Sequence, residues 1–189
     1  RAGISADKII GVTWSCSEQD TIPAGQAAIG YRCASFTGAG KNYPIIDDIM
    51  KYVYDKGNGS GPEEAVGTQL YKNGLVMMFF TVESIKKANE KYGNKPLSGK
   101  EVRWGIENLE VTTEMLDAYG AKGLMPALSV SCTDHEGGSE VSFIQWNGNS
   151  FESASDMIKT DNSLVRPMIE ASASKYASDN GLTLRDCSE

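Results

Sequence analysis

The sequence has a single histidine, His135, and none of its four cysteines are paired at C-x-x-C spacing. A structural zinc site needs a close set of thiolate and imidazole ligands, so no metal is expected. A nucleophile elbow and a phosphate-binding glycine loop are also missing. The longest apolar run, residues 75–80, is far shorter than the roughly 20 residues that cross a bilayer. Positive charge is in deficit: 18 Lys and Arg stand against 25 Asp and Glu, giving a net charge of −7 and a pI near 4.8. That balance argues against nucleic acid or an anionic membrane surface as partner. The chain opens on Arg1 rather than Met and has no signal peptide, so the expectation is a start that has been processed or cut.

The 189 residues make one domain or two small lobes, with enough chain to bury a core. The most informative stretch is residues 9–40. It reads as an apolar strand (9–14), a polar turn (15–20), a short helix of small residues (24–29) and a second strand (31–36). In α/β folds, ligands sit outside the carboxyl ends of the strands, and Trp14, Ser15, Ser17, Glu18 and Asp20 fall there. Trp14 either packs under the turn or forms an apolar wall for a ligand. Glu18 is the candidate to face a ligand ammonium, because a carboxylate makes a charge-assisted bond; otherwise it is a solvated turn residue. Asp20 is a similar candidate or a helix N-cap. Ser15 either donates to a ligand or satisfies turn backbone. An oxidising compartment would allow one disulfide among Cys16, Cys33, Cys132 and Cys187, with the pairing open and Cys187 the most mobile candidate. Cys33, inside an apolar strand, reads as a reduced core residue.

Further along, Asn42 and Pro44 suit the start of a helix, carrying Ile45, Ile46, Ile49, Met50 and Val53 on one face and ending at Gly57. A longer helical pattern covers 63–92, with Val66, Leu70, Met78, Val82 and Ile85 as its apolar stripe. Ser98 and Glu101 form a capping box, and a short helix follows at 112–119. A strand is expected at 124–132. Asn147–Gly148 is a hairpin turn between strands 140–146 and 150–158. A last helix starts near Leu164 and ends at Asn180–Gly181, leaving a frayed tail after Leu184. So many helices for so few strands suggests that the chain is part of something larger. His135 stands among Cys132, Asp134 and Glu136. Adjacent side chains of an extended strand point to opposite faces, so a metal cluster is not favoured. A Cys132–His135 nucleophile pair would need an oxyanion site that the sequence does not display. A hinge or turn is the preferred reading of this loop.

Taken in order, GVTWSCSEQD, GYRCASFTGAG, VGTQLYKNGLV, KPLSGKEVRWGIENL (95–109), VSCTDHEGG (130–138), IQWNGN and VRPMIEASASKYA resemble the second half of the substrate-binding proteins of branched-chain amino acid type ABC transporters, the type I periplasmic binding proteins. The resemblance implies a partial α/β fold that contributes to two lobes around a hinge. Residues 1–37 would belong to the C-terminal lobe, 38–132 to the N-terminal lobe, and 133–189 would return. Crossings would fall at Thr37 and Gly38 and at Cys132, Thr133 and His135, where Gly40, Gly137 and Gly138 suit turning backbone.

The implied function is capture of a small solute for import, with no cofactor and no catalysis. The solute would be a branched-chain amino acid, an amide, urea or an aromatic acid. The protein partner would be the transporter's membrane permease, and the location periplasmic or otherwise extracytoplasmic at the membrane. The half that usually supplies hydroxyls and amides for a ligand carboxylate is absent, so a fragment with part of the cleft is expected. A soluble sensor of amides or amino acids on the same fold is the alternative, and an enzyme the least favoured reading.

Overall fold

The computed structural model describes residues 3–138 and 140–187; Arg1, where the processed start was expected, lies outside them. Its main sheet runs β1 (Ile10–Gly11), β2 (Arg32–Ser35), β5 (Glu140–Trp146), β6 (Phe151–Ser153), with β7 (Ile158–Lys159) also pairing with β5. β1 and β2 are parallel, while β2 pairs antiparallel with β5. The sheet is therefore mixed. Alternation places Cys33 and Ser35 of β2 and Ser142, Ile144 and Trp146 of β5 on the buried side. Cys16, Ala28 and Phe151 complete that core, with the Phe151 ring edge-on to Trp146 at 5.2 Å.

The strand expected at 9–14 is shorter than its apolar letters suggest. Only Ile10 and Gly11 pair, and Thr13–Ser15 turns as a 3-10 helix. Among the described residues β1 has one neighbour, and Ile10, Val12 and Trp14 are exposed. The following helix comes earlier than expected: α1 covers Glu18–Ala24 and gives way to a 3-10 turn at Gly25–Ala28. β5 and β6 close on Trp146 opposite Phe151, so the hairpin loop spans 147–150 rather than two residues. The Asn147 side chain holds that loop, accepting from the amides of Asn149 and Ser150 at 2.9 Å each.

A second core lies between α3 (Gln69–Tyr92), α5 (Thr113–Ala118) and a small antiparallel pair, β3 (Glu110–Val111) with β4 (Leu128–Ser129). Val76, Leu109, Val111, Leu116, Leu124 and Met125 are buried there. β4 is much shorter than the strand expected at 124–132. Helix α4 (Gly99–Ile106) begins with the expected capping box: Ser98 Oγ accepts from the Glu101 amide, and Glu101 Oε2 accepts from the Ser98 amide at 2.7 Å. α3 and α4 meet at Gly105, where a Cβ would stand 2.1 Å from the Ser84 carbonyl oxygen.

The helix expected at 63–92 starts only at Gln69; Glu63–Ala65 is a separate 3-10 turn. The buried face of α3 is also not the expected one. Gln69, Lys72, Asn73, Val76, Ser84 and Ala88 face inward, whereas Leu70, Met78, Val82 and Ile85 are exposed. α2 (Pro44–Ile49), which continues as a π turn through Met50–Tyr54, starts one residue later than Asn42 predicted, with Tyr43 at its N-cap. The last helix, α6 (Asn162–Asp179), exposes Leu164, Val165, Met168 and Ile169 and buries Ala177.

All four cysteines are oxidised, in two bridges rather than one: Cys16–Cys33 and Cys132–Cys187. Cys33 is thus a bridged core residue and not a reduced one. The sequence offered no geometry to pair it, because its partner lies in the turn that folds back beneath β2. Of the tail expected to fray after Leu184, residues 185–187 are tied by the Cys187 bridge, and residues 188–189 lie outside the described residues.

Candidate functional site

Two crossovers join the two cores. The first leaves β2 through Thr37 and Gly38 and reaches α2. It is held by the polar face of α3. Gln69 Nε2 donates to Ser35 Oγ at 2.8 Å and to Thr37 Oγ1 at 2.5 Å, and Thr37 Oγ1 donates to Asn73 Oδ1 at 2.9 Å. Ser35 and Thr37 are completely buried, where unpaired hydroxyls would be costly. Lys72 Nζ donates to the carbonyls of Gly38 at 2.5 Å and Gly40 at 2.6 Å. Burial pushes the Lys72 ammonium down to about 8, against the pull of Glu18 and with the push of Lys41.

Beside this crossover opens a crevice of about 650 Å³. Glu18, Gln19 and Ile22 of α1 and the hairpin loop at Asn149–Ser150 form one wall. Gly40, Lys41 and Asn42 of the crossover and Glu64 and Thr68 before α3 form the other. Phe151 of the sheet core lies at the first wall, while the second wall is built from the crossover and the lead into α3. Within that second wall, Lys41 Nζ donates to the Glu64 carbonyl at 2.9 Å.

Glu18 is the one expected ligand residue that lines this crevice. Its two carboxylate oxygens also accept from the Gln69 amide, at 3.1 and 3.0 Å, at the first turn of α3. A carboxylate there satisfies an orphan donor and complements the helix dipole. Replacing Glu18 with Ala is therefore expected to lower unfolding stability by about 1 kcal/mol, read as an earlier urea midpoint. An unchanged midpoint would mean that the contact carries no weight.

The other expected ligand residues lie outside the crevice. Trp14 is 59% exposed in the 3-10 turn that follows β1. Ser15 Oγ donates to the Val12 carbonyl at 2.6 Å and accepts from the Tyr31 hydroxyl at 2.6 Å. Asp20 is exposed in the first turn of α1.

The return crossover runs from β4 to β5 and carries the other expected hinge positions. Cys132 is bonded to Cys187, so the Cys132–His135 nucleophile pair is not formed. The Thr133 carbonyl accepts from Arg166 of α6, which also lies 3.6 Å from Asp134 and 3.4 Å from Glu136. His135 is exposed, with Nε2 3.1 Å from the buried Glu107 carboxylate. Arg185 of the tail donates to the same carboxylate. The Arg185 contact, followed by that of His135, holds Glu107 below its usual range. Among the described residues, no group of side chains could hold a metal ion, and no helix is long and apolar enough to cross a membrane.

Sequence reasoning missed Gln69, Lys72 and Asn73. Their spacing, with Val76, is that of one helix face, but their polar letters hid it beside the more apolar stripe through Met78 and Val82.

No protein-family model matches the chain, and no curated protein does. Two solved structures do. One is described as an ABC transporter permease from the Pseudomonas fluorescens group. It is 37% identical, with a TM-score of 0.91 over 98% of this chain and 45% of that one. The other is a branched-chain amino acid ABC transporter from Thermus thermophilus with bound valine. It is 18% identical, with a TM-score of 0.60 over 80% of this chain and 39% of that one. At that identity the second likeness shows the fold alone. The chain spans less than half the length of either solved chain. The first comparison links the chain to an ABC transporter protein.

Proposed function

We propose that this chain is part of an extracytoplasmic solute-binding protein that captures a small, amino-acid-like solute and delivers it to the permease of an ABC importer. The observation that carries the reading is the crevice at Glu18, lined by α1 and the β5–β6 loop on one side and by the first crossover and the lead into α3 on the other. A solute bridging the walls would favour the closed arrangement by its contacts with both. The lobes would divide at Thr37–Gly38 and again at Cys132, Thr133 and His135. The Glu18 carboxylate would receive a solute ammonium, and Lys41, with donors to spare beyond Glu64, a solute carboxylate. Trp14, Ser15 and Asp20 would extend the recognition surface from the β1 end. Branched-chain amino acids, amides, urea and aromatic acids are the solutes to test.

Two disulfides support an oxidising, extracytoplasmic location, since such bonds persist where thiols are not kept reduced. The exposed apolar stripes of α3 and α6 support a larger protein in which a further segment covers them. Calorimetric titration of the whole protein with the solute panel tests the reading. One class is expected to bind, at least tenfold more weakly in Glu18→Gln and Lys41→Met. Silence across the panel would overturn it.

A further inference from the structure

Lys72 is the least expected buried group in the molecule. It lies one turn into α3, 1% exposed, where the helix dipole disfavours a cation. Its amine leaves α3 and reaches two carbonyls of the first crossover, Gly38 and Gly40, passing 5.6 Å from the centre of the Tyr43 ring. Tyr43 continues the same fastening, its hydroxyl donating to the Ala39 carbonyl at 3.1 Å. Without the amine, two carbonyls of an otherwise irregular segment would have no side-chain donor. Gly40 itself lines the crevice, as do its neighbours Lys41 and Asn42.

We propose that Lys72 is the positioning residue that fastens the first crossover to α3, so that the crevice wall at Gly40, Lys41 and Asn42 moves when the amine leaves its seat. This holds whatever the crevice binds, because the fastening joins protein to protein.

The charged groups facing the seat give the proposal a pH signature. Glu18 on α1 favours the ammonium, Lys41 in the crossover opposes it, the Tyr43 ring lies alongside, and burial outweighs them all. The seated amine therefore titrates near 8, whereas an amine released into water returns to its ordinary value of 10.5. Between those values the seated state binds fewer protons than the released state. Raising the pH through that window thus favours seating, and below it the balance is flat. A neutral amine still has two N–H groups for the two carbonyls.

Amide hydrogen exchange on the ligand-free chain tests this. The reporter is the Gly38 amide, which donates to the Leu124 carbonyl at 2.9 Å; the reference is the Trp146 amide, which donates to the Tyr31 carbonyl at 2.9 Å. After correction for intrinsic exchange, Gly38 protection relative to Trp146 is expected to rise at least tenfold between pH 7 and 10. Lys72→Met should lower it at least tenfold at pH 7 and remove the pH dependence. Lys72→Arg, whose guanidinium does not deprotonate, should also be independent of pH. A flat wild-type profile overturns the proposal even if the Met variant does not fold. So does a folded Met variant with wild-type protection at Gly38.

Discussion

Replacing Cys132 and Cys187 with serine is expected to lower unfolding stability by about 4 kcal/mol. The bridge closes a loop with a sequence separation of 55, and releasing a loop of that size returns entropy of that order to the unfolded chain. The native state loses something as well. Cys187 holds the tail so that Arg185 reaches Glu107, and Glu107 is buried with a 3% exposed side chain. A freed tail would leave that carboxylate with the His135 contact and the more distant Arg103 charge, and a buried charge that loses a partner is costly. Guanidinium unfolding should show a lower midpoint, and trypsin should cut after Arg185 faster than in the wild type. An unchanged midpoint with a protected tail would mean that the ion pair alone fastens this end. The Cys16–Cys33 bridge has a separation of 17, for which the same argument gives about 3 kcal/mol.

Gly105→Ala should be nearly as damaging. The added Cβ would stand 2.1 Å from the Ser84 carbonyl oxygen and 3.1 Å from the Ala88 Cβ. The first of these is backbone inside α3 and cannot rotate away. α4 must shift outward, opening the packing between the two helices, and overpacking of this kind costs about 1–3 kcal/mol. The shift would also disturb Glu107, which follows directly at the end of α4. Circular dichroism during urea unfolding reads the loss. A wild-type midpoint would mean that α4 is held more loosely than its contact with α3 indicates.

Local chemistry was legible where it is self-contained. The Ser98–Glu101 capping box needs only residues three apart, and it is formed as read. Pro44 starts α2 because its ring suits a first helical turn. The β5–β6 pairing follows from alternation, although Asn147 bonds to two loop amides and so holds a longer turn than the Asn–Gly pair implied.

What failed was whatever depends on distant partners. The pairing of Cys16 with Cys33 depends on the turn at Thr13–Ser15, which the apolar letters of β1 concealed. The inward face of α3 is polar because Ser35, Thr37 and the crossover carbonyls need donors and acceptors, and that demand comes from other elements. Met78 and Val82 looked like core by periodicity, yet they point away from both cores. Glu18 was picked out for a ligand, and the partner it shows is the first amide of α3. Trp14, Ser15 and Asp20 stand near it in sequence but do not line the crevice that Glu18 joins.

The crevice at Glu18 is proposed to hold a small solute between two walls. Native mass spectrometry of the whole protein, purified without added ligand and then titrated with the amino acid, amide and aromatic acid panel, tests it most directly. A single solute is expected to be retained at one per protein, with occupancy reduced at least tenfold in Glu18→Gln and in Lys41→Met while both stay folded. Full occupancy in both folded variants, or no retained mass with any solute of the panel, would contradict it.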